Sequence, residues 1–126
     1  MAAAMAREGE GWRLAWDAER QPFSVLIGGE GWAVELRDSE ALALRDALAD
    51  LVAQHQALVD QLMAEEAISL ELERGAWWLA IDGDRSNWAL RVVLSPTDQQ
   101  RAFEGAWSAQ ASRAFAVALQ QLHGQP

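Results

Sequence analysis

The sequence predicts an α+β fold, in which an antiparallel β-sheet has two helices packed on one face in the order βββα-βββα. Two observations lead to this prediction. The chain has seven tryptophans in 126 residues, and five of them begin or end runs in which every second residue is apolar. Between these runs the apolar period changes to three and four residues, as in a helix. The five tryptophans are Trp12, Trp16, Trp32, Trp77 and Trp88.

Three short strands are predicted in the first half of the chain. Residues 12–16 alternate and are followed by a polar turn over 17–22. Residues 23–27 form the second strand, and Gly28-Gly29 is predicted to end it as a turn. In residues 32–36 the apolar side chains alternate with Ala33 and Glu35, which predicts the third strand.

A long amphipathic helix follows, from about Glu40 to Met63, with Ser39 as its N-cap. Its apolar positions recur at intervals of three and four residues, which places them on one stripe facing the sheet. The stripe consists of Leu44, Leu48, Leu51, Val52, His55, Leu58, Val59 and Leu62.

The second half repeats this order. Strands are predicted over 68–73, 77–81 and 88–94, and a loop over 95–105. A shorter helix over about 108–122 ends the chain, and Trp107 is predicted to plug the core beneath its start. The two halves therefore form an imperfect pseudo-repeat.

The length fits a single domain over residues 1–126, with halves at about 10–64 and 66–124. Residues 1–8 are expected to be a flexible start. No apolar run approaches the ~20 residues of a membrane span, so no membrane association is expected. Cysteine is absent, which excludes a disulfide framework and suits a cytoplasmic protein.

The charge balance is acidic. All ten cations are arginines and 19 residues are acidic, which gives a formal net charge of −9. Nucleic-acid binding proteins normally carry a basic footprint, so the total disfavours a nucleic-acid partner while leaving room for a local arginine patch.

No catalytic, cofactor-binding or metal-binding motif is found, and we expect the protein not to be an enzyme and to hold no cofactor. His55 lies on the apolar stripe, where a hydrogen-bonded core histidine is the favoured interpretation. Glu65 and Glu66 are adjacent and point in different directions, which favours a solvated helix end over an acid/base pair. Asp82-Gly83-Asp84 has the composition of a turn.

The outer face of the sheet is the candidate interaction surface, with Trp78, Arg91 and Arg13 as its proposed contact residues. Trp78 is a large aromatic side chain on a face that is otherwise polar or small. Three interpretations remain open: contact with a protein partner or a second copy, cover by the chain's own loops, and stacking against a nucleobase.

Several segments resemble a family of short cyanobacterial proteins of unknown function, and the match covers nearly the whole chain. These segments are residues 7–14, 23–29, 32–36, 62–66, 90–94 and 104–107. The family is similar in fold to the plant single-stranded-DNA-binding whirly proteins, which have an antiparallel sheet with helices, repeated twice. The resemblance implies this whirly-like α+β fold, a cytoplasmic cyanobacterial setting and no known activity.

Whirly proteins bind DNA with lysine-rich and aromatic surface residues and assemble into tetramers. This chain has no lysine, so their DNA-binding function does not follow from the fold.

Three functions follow as hypotheses. The first is a non-enzymatic interaction or self-association module that uses Trp78, Arg91 and Arg13. The second is single-stranded nucleic-acid binding, with bases stacked on Trp78 and phosphates held by Arg13, Arg37 and Arg91. The third and weakest is small-ligand binding between the helices and the sheet, which would bring His55 together with Glu65 and Glu66.

Overall fold

Eight strands and two helices form from these patterns in the part of the chain that the structure describes. The computed structural model describes residues 4–63, 65–96 and 101–123, and within them four strands and a helix occur twice in succession. The first half consists of β1 (Ala4–Gly9), β2 (Trp12–Asp17), β3 (Val25–Gly29), β4 (Trp32–Leu36) and α1 (Asp38–Val59). The second half consists of β5 (Ile68–Arg74), β6 (Trp77–Gly83), β7 (Trp88–Leu94), β8 (Phe103–Trp107) and α2 (Ala109–Leu119).

The α+β class and the strands-then-helix repeat are confirmed, but each half has one strand more than predicted. The expectation of a flexible start is wrong for residues 4–8. These residues belong to β1, which pairs with β2 from Ala4↔Asp17 to Gly9↔Trp12. The predicted loop over 95–105 contains the start of β8, which pairs with β7. Residues 1–3, 64, 97–100 and 124–126, which also fall within predicted segments, lie outside the described residues.

The strands form two antiparallel sheets rather than one. Sheet 1 has the order β1-β2-β3-β4 and sheet 2 has the order β5-β6-β7-β8. Strand β8 of sheet 2 lies against β3 of sheet 1. This junction is filled by aromatic rings in successive contact, with neighbouring centroids 4.1–5.9 Å apart, in the order Trp77, Phe103, Trp32, Trp107 and Phe115. Trp107 is 2% exposed, as expected of a residue that plugs the core.

Both helices cover the apolar face of sheet 2. Helix α1 packs on β5 and β6, and α2 packs on β7 and on β2 of sheet 1. The core therefore lies between the helices and the inner faces of both sheets. It contains leucines from every layer, among them Leu14, Leu48, Leu79 and Leu119, all with no exposed surface.

The helix ends differ from prediction at two points. The N-cap of α1 is Arg37 instead of Ser39, and the Arg37 backbone N–H donates to Glu40 Oε1 over 2.8 Å in a capping box. Helix α1 also ends at Val59, four residues before Met63. At that end the Arg85 guanidinium donates to the Val59 and Leu62 carbonyl oxygens, at 3.1 and 3.3 Å, and so holds the last residue of the helix and the turn that follows it.

The sequence Gly-Glu-Gly-Trp occurs twice, and both copies form the same hairpin. Gly11 and Gly31 adopt positive φ values of 82° and 81° in the turns β1–β2 and β3–β4. The prediction that Gly28-Gly29 is the turn is therefore wrong, because both residues lie within β3. The ring of Trp32 folds back across Gly29, where a Cβ atom would overlap Trp32 Nε1.

Candidate functional site

The outer face of sheet 2 carries Trp78. Its neighbour Trp77 points inward and is 2% exposed, and the pairing of β6 with β5 and β7 runs without interruption. Successive side chains on a strand point to opposite faces, so Trp78 points away from the helices. Its side chain is half-buried.

We call this surface the acidic face. It consists of the outward side chains of β5 to β8, namely Ser69, Glu71, Glu73, Trp78, Ala80, Asp82, Ala89, Arg91, Val93, Glu104 and Ala106. Four of these side chains are carboxylates and one is an arginine. Apart from Ala106 on β8, the apolar residues lie on the two central strands, β6 and β7.

The strand register arranges the acidic face in rows. One row runs from Glu73 through Trp78 and Val93 to Glu104, so the two apolar side chains lie side by side with a carboxylate at each end. Both carboxylate residues are exposed, and Val93 is half-buried like Trp78. Cross-strand neighbours in a row are within contact distance of each other. The row therefore combines an apolar centre with negative ends.

Arg91 belongs to the next row, between Ala80 and Ala106. Its guanidinium carbon lies 5.2 Å from the centroid of the Trp78 ring, which is a cation–π contact. Arg91 is itself exposed. The Trp78 ring therefore already accepts one guanidinium group, and the contact limits how much of the ring faces solvent.

Arg13 does not belong to this surface. It lies on β2 in sheet 1, where its cross-strand partners are Glu8 and Gly28. Arg37, the third arginine of the nucleic-acid hypothesis, caps α1 and lies 5.8 Å from the Phe23 ring. Strand alternation in the sequence predicts a single outer face that carries Trp78, Arg91 and Arg13. Because the chain forms two sheets, Trp78 and Arg91 share a face that Arg13 does not.

None of the three residues of the third hypothesis lines the groove between α1 and α2 or the two smaller clefts found among the described residues. His55 is 3% exposed, and its Nε2 lies 3.0 Å from the Gly83 carbonyl oxygen, to which it donates. This is the hydrogen-bonded core histidine favoured from the sequence. Glu65 is exposed, and the Glu66 carboxylate accepts a hydrogen bond from the Met63 backbone N–H over 3.2 Å.

The acidic turn after β6 is structural. Asp84 Oδ1 accepts hydrogen bonds from the backbone N–H groups of Asn87, at 2.8 Å, and Ser86, at 2.9 Å. These bonds stabilise the charged carboxylate and hold the pKa of Asp84 below its ordinary value of 3.8. Asp82 lies within β6 and accepts a hydrogen bond from the Ser69 hydroxyl.

A groove between α1 and α2 was not anticipated from the sequence. It has a volume of about 680 Å³ and is lined by both helices and by the residues between β6 and β7. A signal for it exists, since each helix has one alanine and one valine at i+3 and i+4 of a second stripe, followed by a glutamine at i+7. The first stripe of each helix is more apolar and fills the core, so it dominates the sequence pattern.

Within the described ranges, no group of three or more His, Asp or Glu side chains is placed to hold a metal ion. Among the same residues, no helix is long and apolar enough to cross a membrane.

Fold and surface together define a small α+β protein built from two linked antiparallel sheets and two helices. The chain belongs to the family described as a domain of unknown function, DUF1818, whose model matches residues 7–122. It is similar to the crystal structure of a protein of unknown function from the DUF155 family of Prochlorococcus sp. NATL2A. The identity is 38%, the match covers 93% of this chain and 96% of that one, and the TM-score is 0.86. No curated protein matches the sequence significantly. The resemblance to a family of unknown function with a cyanobacterial member is thus confirmed.

Proposed function

We propose that this protein is a non-enzymatic interaction module, and that its acidic face binds a basic segment of a protein partner. The observation that carries the proposal is the row in which Trp78 and Val93 lie between Glu73 and Glu104. Apolar anchors ringed by charges are typical of a contact patch. A partner with an apolar residue between arginines or lysines would match this row.

The charges favour a separate partner over a second copy. In a two-fold dimer, the same patch faces itself. Four carboxylates would then oppose four carboxylates, with one arginine on each side. Like charges placed opposite each other disfavour association. The same charges would repel the phosphates of a single-stranded nucleic acid.

The size of the acidic face favours a segment rather than a whole domain. Four strands and three rows cover on the order of 400 Å², about half of the ~800 Å² that each partner contributes to a standard interface. The contact between Arg91 and Trp78 indicates how a partner arginine would bind, since an aromatic ring attracts a guanidinium group.

The same proposal places the protein in the cytoplasm, where a fold without disulfides is ordinary.

The test uses a synthetic peptide of alternating arginine and leucine as the probe, with a glutamate-for-arginine version as its control. Fluorescence anisotropy should show binding of the basic peptide only, and Trp78→Ala should weaken it about tenfold, or by ~1.4 kcal/mol. Glu73→Gln should weaken binding severalfold. Glu8→Gln is the matched control, because Glu8 carries the same charge on sheet 1.

Two further measurements separate the alternatives. Light scattering at low and high salt should give the 13.9 kDa mass of a monomer. If the wild-type protein has a larger mass and the Trp78→Ala variant has the mass of a monomer, the acidic face is a self-association surface and the proposal is wrong. Binding of a single-stranded oligonucleotide that falls steeply with salt would replace it with nucleic-acid binding. Peptide binding unaffected by Trp78→Ala would refute the proposed site.

A further inference from the structure

We propose that the groove between α1 and α2 binds an amphipathic organic anion, an apolar chain or ring carrying a carboxylate, with Arg113 as the main contact for the charged group. This site lies on the helical side of the molecule and is independent of the acidic face.

The groove is built by equivalent stripes of the two helices. Helix α1 contributes Ala49, Val52, Ala53 and Gln56, and α2 with its C-cap contributes Arg113, Ala116, Val117 and Gln120. Both sets have the spacing i, i+3, i+4 and i+7, which places each set on one helix face. Most of these residues are alanines or valines, and both walls contain them. The small side chains leave the space that larger ones would fill.

The interior of the groove is apolar. Trp88 lines it at the start of β7 and is only 5% exposed, while Val117 on the α2 wall is 58% exposed. Val117 is one of the few large apolar side chains that the described residues leave exposed. The volume of about 680 Å³ falls within the range of small-molecule sites. An exposed valine and a buried tryptophan in the same lining favour an apolar ligand.

The ends of the groove differ. At one end Gln120 Nε2 donates to the Arg45 carbonyl oxygen over 3.0 Å, and the Arg45 guanidinium donates to the Leu122 carbonyl oxygen over 2.6 Å. These bonds close the gap between the helices. At the other end lie Arg85 and Arg113, and Arg113 Nη2 donates to the Arg85 carbonyl oxygen over 2.8 Å. Arg45 is not part of the lining, so the charged side chains that line the groove, Arg85 and Arg113, lie at this second end only.

The charges of the groove lining favour an anionic ligand. The chain has 19 acidic residues and ten arginines, yet the lining contains two arginines and no carboxylate. The ion pairs found among the described residues do not include Arg113, and its contact with the Arg85 carbonyl uses one of five guanidinium N–H donors. Its remaining donors can hold a carboxylate in a two-pronged contact.

Arg85 plays a different part. Its Nη2 is occupied by the carbonyl oxygens at the end of α1, and its Nε lies 3.7 Å from Asp60 Oδ1. That Nε atom is buried and has no hydrogen-bond partner among the described residues. Arg85 thus adds positive charge to the groove while holding the end of α1. For this reason the test leaves Arg85 unchanged.

The probes are decanoate, its neutral analogue decanamide and acetate, each titrated into the full chain and followed by NMR shifts of backbone amides. Decanoate should shift residues of the groove and bind at least tenfold more tightly than decanamide or acetate. Arg113→Gln should weaken decanoate about tenfold, whereas Arg13→Gln, the same charge change on sheet 1, should leave it unchanged.

A second pair of variants tests the apolar wall. Val117→Glu should abolish decanoate binding by placing a carboxylate in the groove, and Val117→Gln, of similar size, should reduce it only severalfold. Both should fold, because Val117 is exposed. Trp78→Ala should have no effect, which separates this site from the acidic face. Equal affinity for decanoate and decanamide, shifts outside the groove, or no binding of decanoate at millimolar concentration would each overturn the proposal.

Discussion

The indole rings of Trp32 and Trp107 meet edge to face at the junction of the two sheets, and each donates its N–H to a carbonyl of the opposite sheet. The ring centroids lie 5.0 Å apart. Trp32 Nε1 donates to the Ala106 carbonyl oxygen over 3.1 Å, and Trp107 Nε1 donates to the Gly28 carbonyl oxygen over 2.9 Å. This exchange fixes the position of β8 against sheet 1. It joins the two halves through side chains, because among the described residues no strand of one sheet pairs with a strand of the other.

The two indole hydrogen bonds should differ in their contribution to stability. Trp107→Phe removes a donor from a buried bond and leaves the Gly28 carbonyl without it, at an expected cost of about 1–3 kcal/mol. The bond made by Trp32 is exposed, so solvent can replace it and Trp32→Phe should cost less, about 1 kcal/mol. Urea unfolding followed by circular dichroism measures both. A larger loss of unfolding free energy in Trp32→Phe than in Trp107→Phe would show that the junction does not depend on the Trp107 bond.

Two glycines of the same hairpin should respond to alanine for different reasons. Gly31 has a φ of 81° and open space where an alanine Cβ would lie, so Gly31→Ala should cost only the conformational strain of about 1–2 kcal/mol. At Gly29 the Cβ would overlap Trp32 Nε1, and that ring is held between Phe103 and Trp107. Gly29→Ala should therefore cost more, about 3 kcal/mol. Chemical denaturation of the two variants tests this prediction. A similar loss of unfolding free energy in both would mean that the Trp32 ring moves freely.

Ser112 ties α2 to sheet 2. It is fully buried, and its hydroxyl oxygen accepts a hydrogen bond from the Leu90 backbone N–H over 3.0 Å. Ser112→Ala leaves that buried N–H unpaired and should destabilise the protein by about 1–3 kcal/mol. Ser108→Ala is the comparison, because it removes the N-cap bond to Ala111, at about 1 kcal/mol. Thermal unfolding of both variants should rank Ser112→Ala as the less stable.

Acid should weaken the turn that follows β6. The pKa of Asp84 is lowered by the hydrogen bonds from Asn87 and Ser86, so the folded protein binds this proton less readily than the unfolded chain. The stabilisation is therefore fully present above the ordinary pKa of 3.8 and is lost as the pH falls through the lower folded value. Asp84→Asn should lower stability near neutral pH and remove this part of the acid dependence. Urea unfolding of both proteins at neutral pH and near pH 2 measures this dependence. The same change in stability with pH in the wild-type protein and in Asp84→Asn would contradict the role given to Asp84.

The alternating strands are predictable because their inward residues are large and apolar. In β8 the alternation is also present, as Phe103, Gly105 and Trp107, but the middle residue is a glycine. A Cβ at Gly105 would lie 2.5 Å from Trp32 Cη2, so the ring of a distant residue occupies the place of its side chain. That requirement cannot be read from the local sequence. For the same reason the local pattern predicts a turn at Gly29, whose role is to admit a ring.

The candidate site is predictable only within a single sheet. Alternation along β6 and β7 places Trp78 and Arg91 on one face, and the structure agrees. Alternation also groups Arg13 with them, because local patterns do not indicate where a sheet divides. That division depends on long-range contacts such as the bond from Trp107 to Gly28, 79 residues apart. The groove between the helices depends on how α1 and α2 pack, which the stripes alone do not define.

The crossed packing of the helices bears on how such a chain can have arisen. Helix α1 belongs to the first half but covers β5 and β6, while α2 belongs to the second half and reaches β2. A chain carrying one half alone would leave the apolar face of its sheet without the partner helix that covers it here. Two such chains could cover each other by placing a helix on the partner's sheet, as both helices do within this molecule, where α2 also packs on β7 of its own half. The pseudo-repeat is therefore the arrangement expected if an ancestral pair of identical chains became joined end to end.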